Sequence, residues 1–239
     1  MKNFDFSDVI CIILARGGSK GLKKKNLRKL RGYPLISYPI MHAKKSGVIG
    51  TVLVSTDNKD IAKIAKKYGA EVPFLRPKKL AEDLTTTEES LKHALNSYEK
   101  ITKKKFSIGV FITATDIFRE VSWITYAVKK LKSNRNLESV FSGYRTHKNF
   151  WEKNSYGNWQ RLRGWMKNYS SRQIRRYIVR EDTGLACASR TKLWRKGRRI
   201  GNKVHIIENS DSFTSIDIHD NEDLLLAEEA KKIRNKKND

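Results

Sequence analysis

The 239 residues carry 50 lysines and arginines against 25 aspartates and glutamates, a formal net charge of +25. With a hydrophobic share of 38%, this is enough chain to bury one α/β core, because larger domains bury a larger share of their surface. No apolar run approaches the ~18 residues that span a bilayer. The first such run is short and follows Asp5 and Asp8, unlike a signal peptide, so a cytoplasmic location without membrane association is expected.

Val9–Ala15 is apolar throughout and β-branched at four of seven positions. That is the pattern of a strand buried on both faces, the first of a parallel sheet. It runs into Arg16-Gly17-Gly18-Ser19-Lys20-Gly21 and then Lys23-Lys24-Lys25. Glycines admit φ > 0, so successive backbone N–H groups can converge on an anion that the interleaved cations neutralise. A strand feeding such a loop points to a polyphosphate site at the carboxyl end of the sheet. Neither the Walker A spacing nor G-x-G-x-x-G is present, and the competing reading is a solvated basic turn.

Pro34-Leu35-Ile36 opens a first helix that starts in earnest near Ser37, because Pro39 is tolerated only in a first turn, and Gly47 closes it. Thr51–Thr56 is the second strand, after which Asp57 is placed to cap a helix with Ile61, Ile64 and Ala65 inward, ending at Gly69. Pro73 and Pro77 keep the next stretch irregular. Thr85/Glu88 and Thr86/Glu89 both have capping-box spacing, so a helix runs from about Glu88 to Lys100 with Leu91, Ala94, Leu95 and Tyr98 inward. A strand over Ile108–Thr113, a helix on Val121, Ile124, Val128 and Leu131, and a strand over Ser139–Gly143 continue the doubly wound alternation.

Arg145–Arg180 then holds ten lysines and arginines against one glutamate, interleaved with Phe150, Trp151, Tyr156, Trp159, Trp165, Tyr169 and Tyr177. Such a segment suits single-stranded nucleic acid, a sugar-binding lid or a second subunit, since interfaces also enrich aromatics and arginine. Elsewhere lysines fall on polar helix faces, as in Ala62–Lys67, so nucleic acid is not the expected partner despite the net charge. Strands resume at Leu185–Ser189, Lys203–Ile207 and Ser215–Ile218, and Glu222–Ile233 closes as an amphipathic helix with Leu225, Leu226, Ala230 and Ile233 inward. Cys11 and Cys187 lie in strands without metal or redox spacing and read as reduced core residues. No linker or repeat divides the chain, so one domain over residues 1–239 is expected, with an insertion at about 145–180.

Ala15–Asn26, followed by Gly32-Tyr33-Pro34-Leu35-Ile36, and the block Val54–Thr87 together resemble the acylneuraminate cytidylyltransferases. The resemblance runs in order along nearly the whole chain, strongest before residue 90 and after residue 180. It implies a three-layer, Rossmann-like nucleotidyltransferase fold with a mostly parallel sheet. It also implies a homodimer whose insertion supports the dimer contact and reaches the neighbouring active site. The implied reaction moves CMP from CTP to the anomeric hydroxyl of a 2-keto-3-deoxy sugar acid, a sialic-acid-like nonulosonic acid, releasing pyrophosphate.

By the same resemblance Arg16, Gly17, Gly18, Ser19, Lys20 and Lys25 hold the triphosphate, Asn26 reaches the base, and Arg76 with Thr85 and Thr87 reads cytosine. Thr113, Arg172 and Arg180 hold the sugar acid, Asp217 holds Mg²⁺, and the catalytic set is Arg16, Lys20, Lys25 and Asp217. The chemistry agrees with these roles. Displacement at the α-phosphorus needs cations on the phosphates, and a guanidinium suits both the cytosine acceptors and a carboxylate. The competing reading of Arg76 is a surface pair with Asp83.

Three stretches depart from the family pattern. Asp217-Ile218-His219 stands where Asp-Ile-Asp is usual, and imidazole is a poor ligand for a hard cation. Asp116 or Asp220 replaces the second carboxylate, or one suffices. Thr113-Ala114-Thr115-Asp116-Ile117-Phe118-Arg119 replaces Gln-Pro-Thr-Ser-Pro-Leu-Arg, and Glu181-Asp182-Thr183-Gly184 replaces an Asn-Gly segment. The rival readings are a keto-deoxy-octulosonate cytidylyltransferase, which has Gly-Asp-Glu-Pro near Ala114–Ile117, and a non-catalytic basic nucleic-acid or interaction protein on the same fold.

Overall fold

The apolar run at Val9 becomes the axis of the molecule. The computed structural model, which describes residues 4–236, contains β1 (Val9–Leu14), a hairpin of β2 (Lys29–Leu30) and β3 (Tyr33–Pro34), α1 (Ser37–Lys45), β4 (Thr51–Ser55), α2 (Lys59–Lys67), α3 (Thr87–Thr102), β5 (Ile108–Phe111) and α4 (Val121–Ser133). There follow β6 (Ser139–Thr146), a hairpin of β7 (Trp151–Lys153) and β8 (Trp159–Arg161), β9 (Ile178–Glu181), β10 (Cys187–Arg190), α5 (Thr191–Arg195), β11 (Val204–Asn209) and α6 (Asn221–Lys236).

The main sheet has the order β11-β6-β10-β5-β1-β4, with β9 paired to β6. β1 is parallel to both neighbours, with Ile12 opposite Leu53 on β4 and Phe111 on β5. β10 is antiparallel between β5 and β6, and β11 is parallel to β6. Because side chains alternate across a strand, Val9, Cys11 and Ile13 pack with Ile40, Ile61, Ile124 and Val128, while Ile10 and Ile12 pack with Leu91, Leu95, Tyr98 and Trp194. Helices α1, α2 and α4 therefore cover one face and α3 and α5 the other, a three-layer α/β fold with a mostly parallel sheet. A third apolar cluster, Leu22, Leu30, Leu35, Ile117, Phe118, Ile218 and Ala227, lies under the glycine loop and seats α6. Among the described residues no helix is long and apolar enough to cross a membrane.

Several expectations hold. α1 begins at Ser37, and Gly47 and Gly69 take the left-handed conformation after their helices. Cys11 and Cys187 are buried, which pushes both thiols up to about 12.

Four details differ. Asn58, not Asp57, caps α2, accepting from the Asp60 and Ile61 backbone N–H groups. Of the two capping-box candidates only Thr86/Glu89 forms, since one helix has one N-terminus. Ser215–Ile218 is not a strand: Ser212–Ser215 is a 3-10 turn and Ile216–Ile218 follows without sheet pairing. On α6, Ala230 faces inward as expected, but Leu225, Leu226 and Ile233 are 63%, 54% and 48% exposed and Ala227 takes the inward face with it. Three consecutive leucines do not fix a helical phase, and the small alanines admit the closer approach.

Candidate active site

The loops after β1, β4 and β5 leave the carboxyl ends of three adjacent parallel strands, where ligands of open α/β sheets bind. Together with the first turn of α3 they enclose a cavity of about 640 Å³ lined by Arg16, Ser19, Lys20, Lys25, Asn26, Arg76, Thr85, Thr87 and Thr113, among others. Residues as far apart in sequence as Leu14 and His219 thus share one cleft.

The β1 loop is shaped by its own hydrogen bonds. Asp57 accepts from the Gly17 N–H at 2.8 Å, Asn26 Nδ2 donates to the Arg16 carbonyl at 3.0 Å, and Lys25 Nζ donates to the Ile218 carbonyl at 2.8 Å. Burial pulls the Lys25 ammonium below its usual range. A Cβ at Gly21 would lie 2.6 Å from the His219 carbonyl oxygen, so glycine lets this loop rest against the segment that carries Asp217. Gly17 and Gly18 contribute backbone to the loop without lining the main cavity, and Gly18 borders a neighbouring pocket with Lys20 and Asp83.

Arg76 is 5% exposed, follows β4 through its N–H to the Thr56 carbonyl, and donates from Nη1 to Ser90 Oγ at 3.2 Å. Its Nε is buried without a partner. It does not pair with Asp83. That carboxylate instead bridges Arg16 Nη1 at 2.9 Å and Lys20 Nζ at 2.6 Å. Thr85 and Thr87 flank the capping Thr86 on the opposite wall.

His219 lines the cavity and Asp217 does not; beside it, Asp217 Oδ1 is buried without a partner and Oδ2 lies 3.3 Å from His219 Nε2. Asp220 serves instead at the start of α6, where it accepts from the Asp223 N–H. Asp116 accepts from the Thr113 hydroxyl. Burial, with the Asp217 charge second, raises its carboxyl above the usual range. Arg119, 4% exposed, donates to the carbonyls of Thr113, Gly184 and Leu185, and its burial brings the guanidinium down to about 10. Sequence reasoning missed Arg119 and the bridging Asp83. The available signals were an arginine directly after the apolar pair Ile117-Phe118 and an aspartate between a basic turn and a capping box.

Two expected sugar-side residues lie elsewhere in the single chain. Arg172 lines a separate cleft of about 560 Å³ with Arg145, His147, Trp165, Arg175 and Arg176. Arg180 pairs with Asp182 at 2.7 Å, which raises its pKa, and sits over the Tyr144 ring.

A family profile described as cytidylyltransferase matches residues 10–233. The chain belongs to the cytidylyltransferase family. It is 38% identical over 130 residues to the post-translational flagellin modification protein B of Campylobacter coli, covering 54% of this chain and 55% of that protein. It is also 43% identical over 86 residues to pseudaminic acid cytidylyltransferase of Campylobacter jejuni (36% of this chain, 37% of that protein). A third relative is N-acylneuraminate cytidylyltransferase of Escherichia coli, 36% identical over 140 residues (59% of this chain, 32% of that protein). The matched stretches span about half or less of these relatives. In three dimensions the chain resembles a CMP:2-keto-3-deoxy-manno-octonic acid synthetase solved with CTP, with a TM-score of 0.68 at 12% identity over 95% of this chain and 99% of that one. At such identity the likeness is one of fold.

Proposed function

We propose that the chain transfers CMP from CTP to the anomeric hydroxyl of a 2-keto-3-deoxy sugar acid of the nonulosonic class. The observation that carries this reading is the convergence of Arg16, Ser19, Lys20, Lys25 and the buried Arg76 on one cleft at the carboxyl ends of β1 and β4. The curated relatives, named for pseudaminic and acylneuraminic acids, favour a nonulosonic acid over the eight-carbon alternative.

In this reading the sugar's anomeric oxygen bonds to the α-phosphorus, the bond to the bridging oxygen breaks, pyrophosphate leaves and the hydroxyl proton passes to water. Arg16 and Lys20 neutralise charge on the departing phosphates, while Lys25 is fixed to the Ile218 carbonyl, next in sequence to Asp217. Asn26 holds the loop through the Arg16 carbonyl, which leaves its Oδ1 and its second Nδ2–H for any base contact. Arg76 offers the cytosine O2 and N3 acceptors a guanidinium whose Nε has no protein partner.

Among the described residues no three His, Cys, Asp or Glu side chains converge as an all-protein metal cage. Mg²⁺ needs only one or two carboxylates when phosphates and water complete its shell, and the orphaned Asp217 Oδ1 suits that role. When bound there, the ion would polarise the phosphorus and acidify the sugar hydroxyl. The same reading takes the chain as one domain with its arm at about 145–180 lying across a second copy, so that Arg172 and Arg180 meet the sugar carboxylate between subunits.

The test is pyrophosphate release from four nucleoside triphosphates across a panel of keto-deoxy sugar acids in Mg²⁺. CTP with a nonulosonic acid is the expected productive pair. Asp217→Ala is expected to lower kcat about 100-fold or more. Turnover with an eight-carbon acid alone, or none with any acid, overturns the reading.

A further inference from the structure

Asp83 stands on the wall opposite the β1 loop, 67 residues further along the chain, between the turn Lys78–Leu80 and α3. Its two carboxylate oxygens go to two different cations, Oδ1 to Arg16 and Oδ2 to Lys20. Two oxygens on one central atom, bridging a guanidinium and an ammonium, are what a phosphate group offers to the same pair. The contact with Lys20, and then Arg16, holds the Asp83 carboxyl below the usual range. Glu82, its neighbour, lines the same cavity but makes neither contact. The pairs are part-exposed, with side-chain exposures of 35% for Arg16, 81% for Lys20 and 43% for Asp83, so they are exchangeable rather than locked.

We propose that Asp83 is a built-in competitor for the phosphate subsite, and this rests on reading the cleft as a polyphosphate site. Its carboxylate occupies Arg16 and Lys20 until a polyphosphate displaces it, and it returns to them as pyrophosphate leaves. Binding therefore exchanges one set of ion pairs for another, which lowers the net affinity for both CTP and pyrophosphate. Both walls of the cleft are joined through this carboxylate, so displacing it also frees the 81–86 segment from the β1 loop. The residue sets how tightly the site retains its charged product without touching the reacting phosphorus.

Calorimetric titration of the full chain with pyrophosphate, and separately with CTP, tests this for the wild type, Asp83→Asn and Glu82→Gln. Asp83→Asn is expected to tighten the pyrophosphate Kd about three- to tenfold, the scale of two part-exposed ion pairs. Glu82→Gln removes the same formal charge one residue away and is expected to shift it less than about twofold. An unchanged or weaker Kd in Asp83→Asn overturns the proposal, because the carboxylate would then be supporting the site. Equal tightening in both variants also overturns it, by assigning the effect to overall charge. If the wild type binds neither CTP nor pyrophosphate, the reading of the cleft itself fails, an outcome separate from the other two. Asp83→Ser, which removes the charge without leaving an amide, is expected to reproduce Asp83→Asn.

Discussion

The nucleotide side of the cleft and the arm between β6 and β9 are both rich in arginine and lysine, but they are held in opposite ways. In the cleft, Arg76 is tied to Ser90, Lys25 to the Ile218 carbonyl and Asn26 to the Arg16 carbonyl. Each group is fixed by its own chain before any ligand arrives, which reduces the ordering cost of binding. In the arm the cations lie on aromatic rings instead. Arg161 is 4.4 Å from the centre of the Trp151 ring, Arg175 is 5.6 Å from that of Tyr169 and Lys153 is 5.3 Å from that of Trp159. The rings are themselves open to water, with Trp159 64%, Tyr169 72% and Tyr156 86% exposed. Clustered exposed aromatics among arginines are the composition of a surface that becomes buried against a partner. One region is self-sufficient, and the other has the exposed surface that the proposed second copy would cover.

The contrast breaks most visibly on the nucleotide. If Arg76 reads the base from a preformed wall, CTP is favoured over UTP on the order of 10⁴-fold in kcat/KM, because the wrong base leaves buried polar groups unpaired. Arg76→Met is expected to erode that ratio by about tenfold or more. Steady-state kinetics with both nucleotides decides it, and comparable kcat/KM for the two in the wild type removes the base-reading role.

A smaller effect is expected from the arm. Arg172→Ala and Arg180→Ala each remove a guanidinium from the proposed carboxylate site, costing about 2–5 kcal/mol, or roughly 30- to 4,000-fold in kcat/KM for the sugar. CTP affinity, measured by calorimetry, stays within about twofold. Loss of CTP binding in these variants would show that the two regions are not separable, and a loss confined to RNA binding would move the arm to nucleic acid.

The smallest effect concerns the seam between the regions. The Asp116 carboxyl is raised by burial and by Asp217, so its ionisation works against the fold. The stability it contributes is complete below the ordinary value of 3.8 and is lost as pH rises through the raised value. Asp116→Asn is therefore expected to raise Tm at pH 7 by about 2–4 °C and to leave it unchanged at pH 3. Circular-dichroism melting at the two pH values measures the difference, and a lower Tm at pH 7 reverses the assignment.

Much of the cleft was legible because its signals are local. Seven contiguous apolar residues, a glycine-lysine loop and two prolines around Arg76 each restrict the backbone within a few positions. What escaped depends on contacts between distant segments. Asp57 has the right chemistry for a helix cap, but the Gly17 N–H claims it while Asn58 takes the cap. The sequence offers Asp83 only a competing pair with Arg76, seven residues away, whereas the fold delivers Arg16 and Lys20 from the opposite wall. The inward face of α6 has Ala227 beside the expected Ala230, and alanine carries a weaker hydrophobic signal than the leucines left outside. The arm's composition suits an interface as well as a lid or nucleic acid, and nothing local to it specifies where Arg172 and Arg180 come to rest.

The pairing of β6 with β9 has a further consequence for how this chain can vary. Gly143 lies opposite Glu181, and Thr146 opposite Ile178, so the arm leaves and rejoins the sheet through hydrogen-bonded neighbours. Once such a neck is closed, doubling the length of the connection costs only about 0.6 kcal/mol of chain entropy. The arm is thus an exchangeable cassette: its length and composition can change while the sheet, and the cleft at its carboxyl end, keep their register.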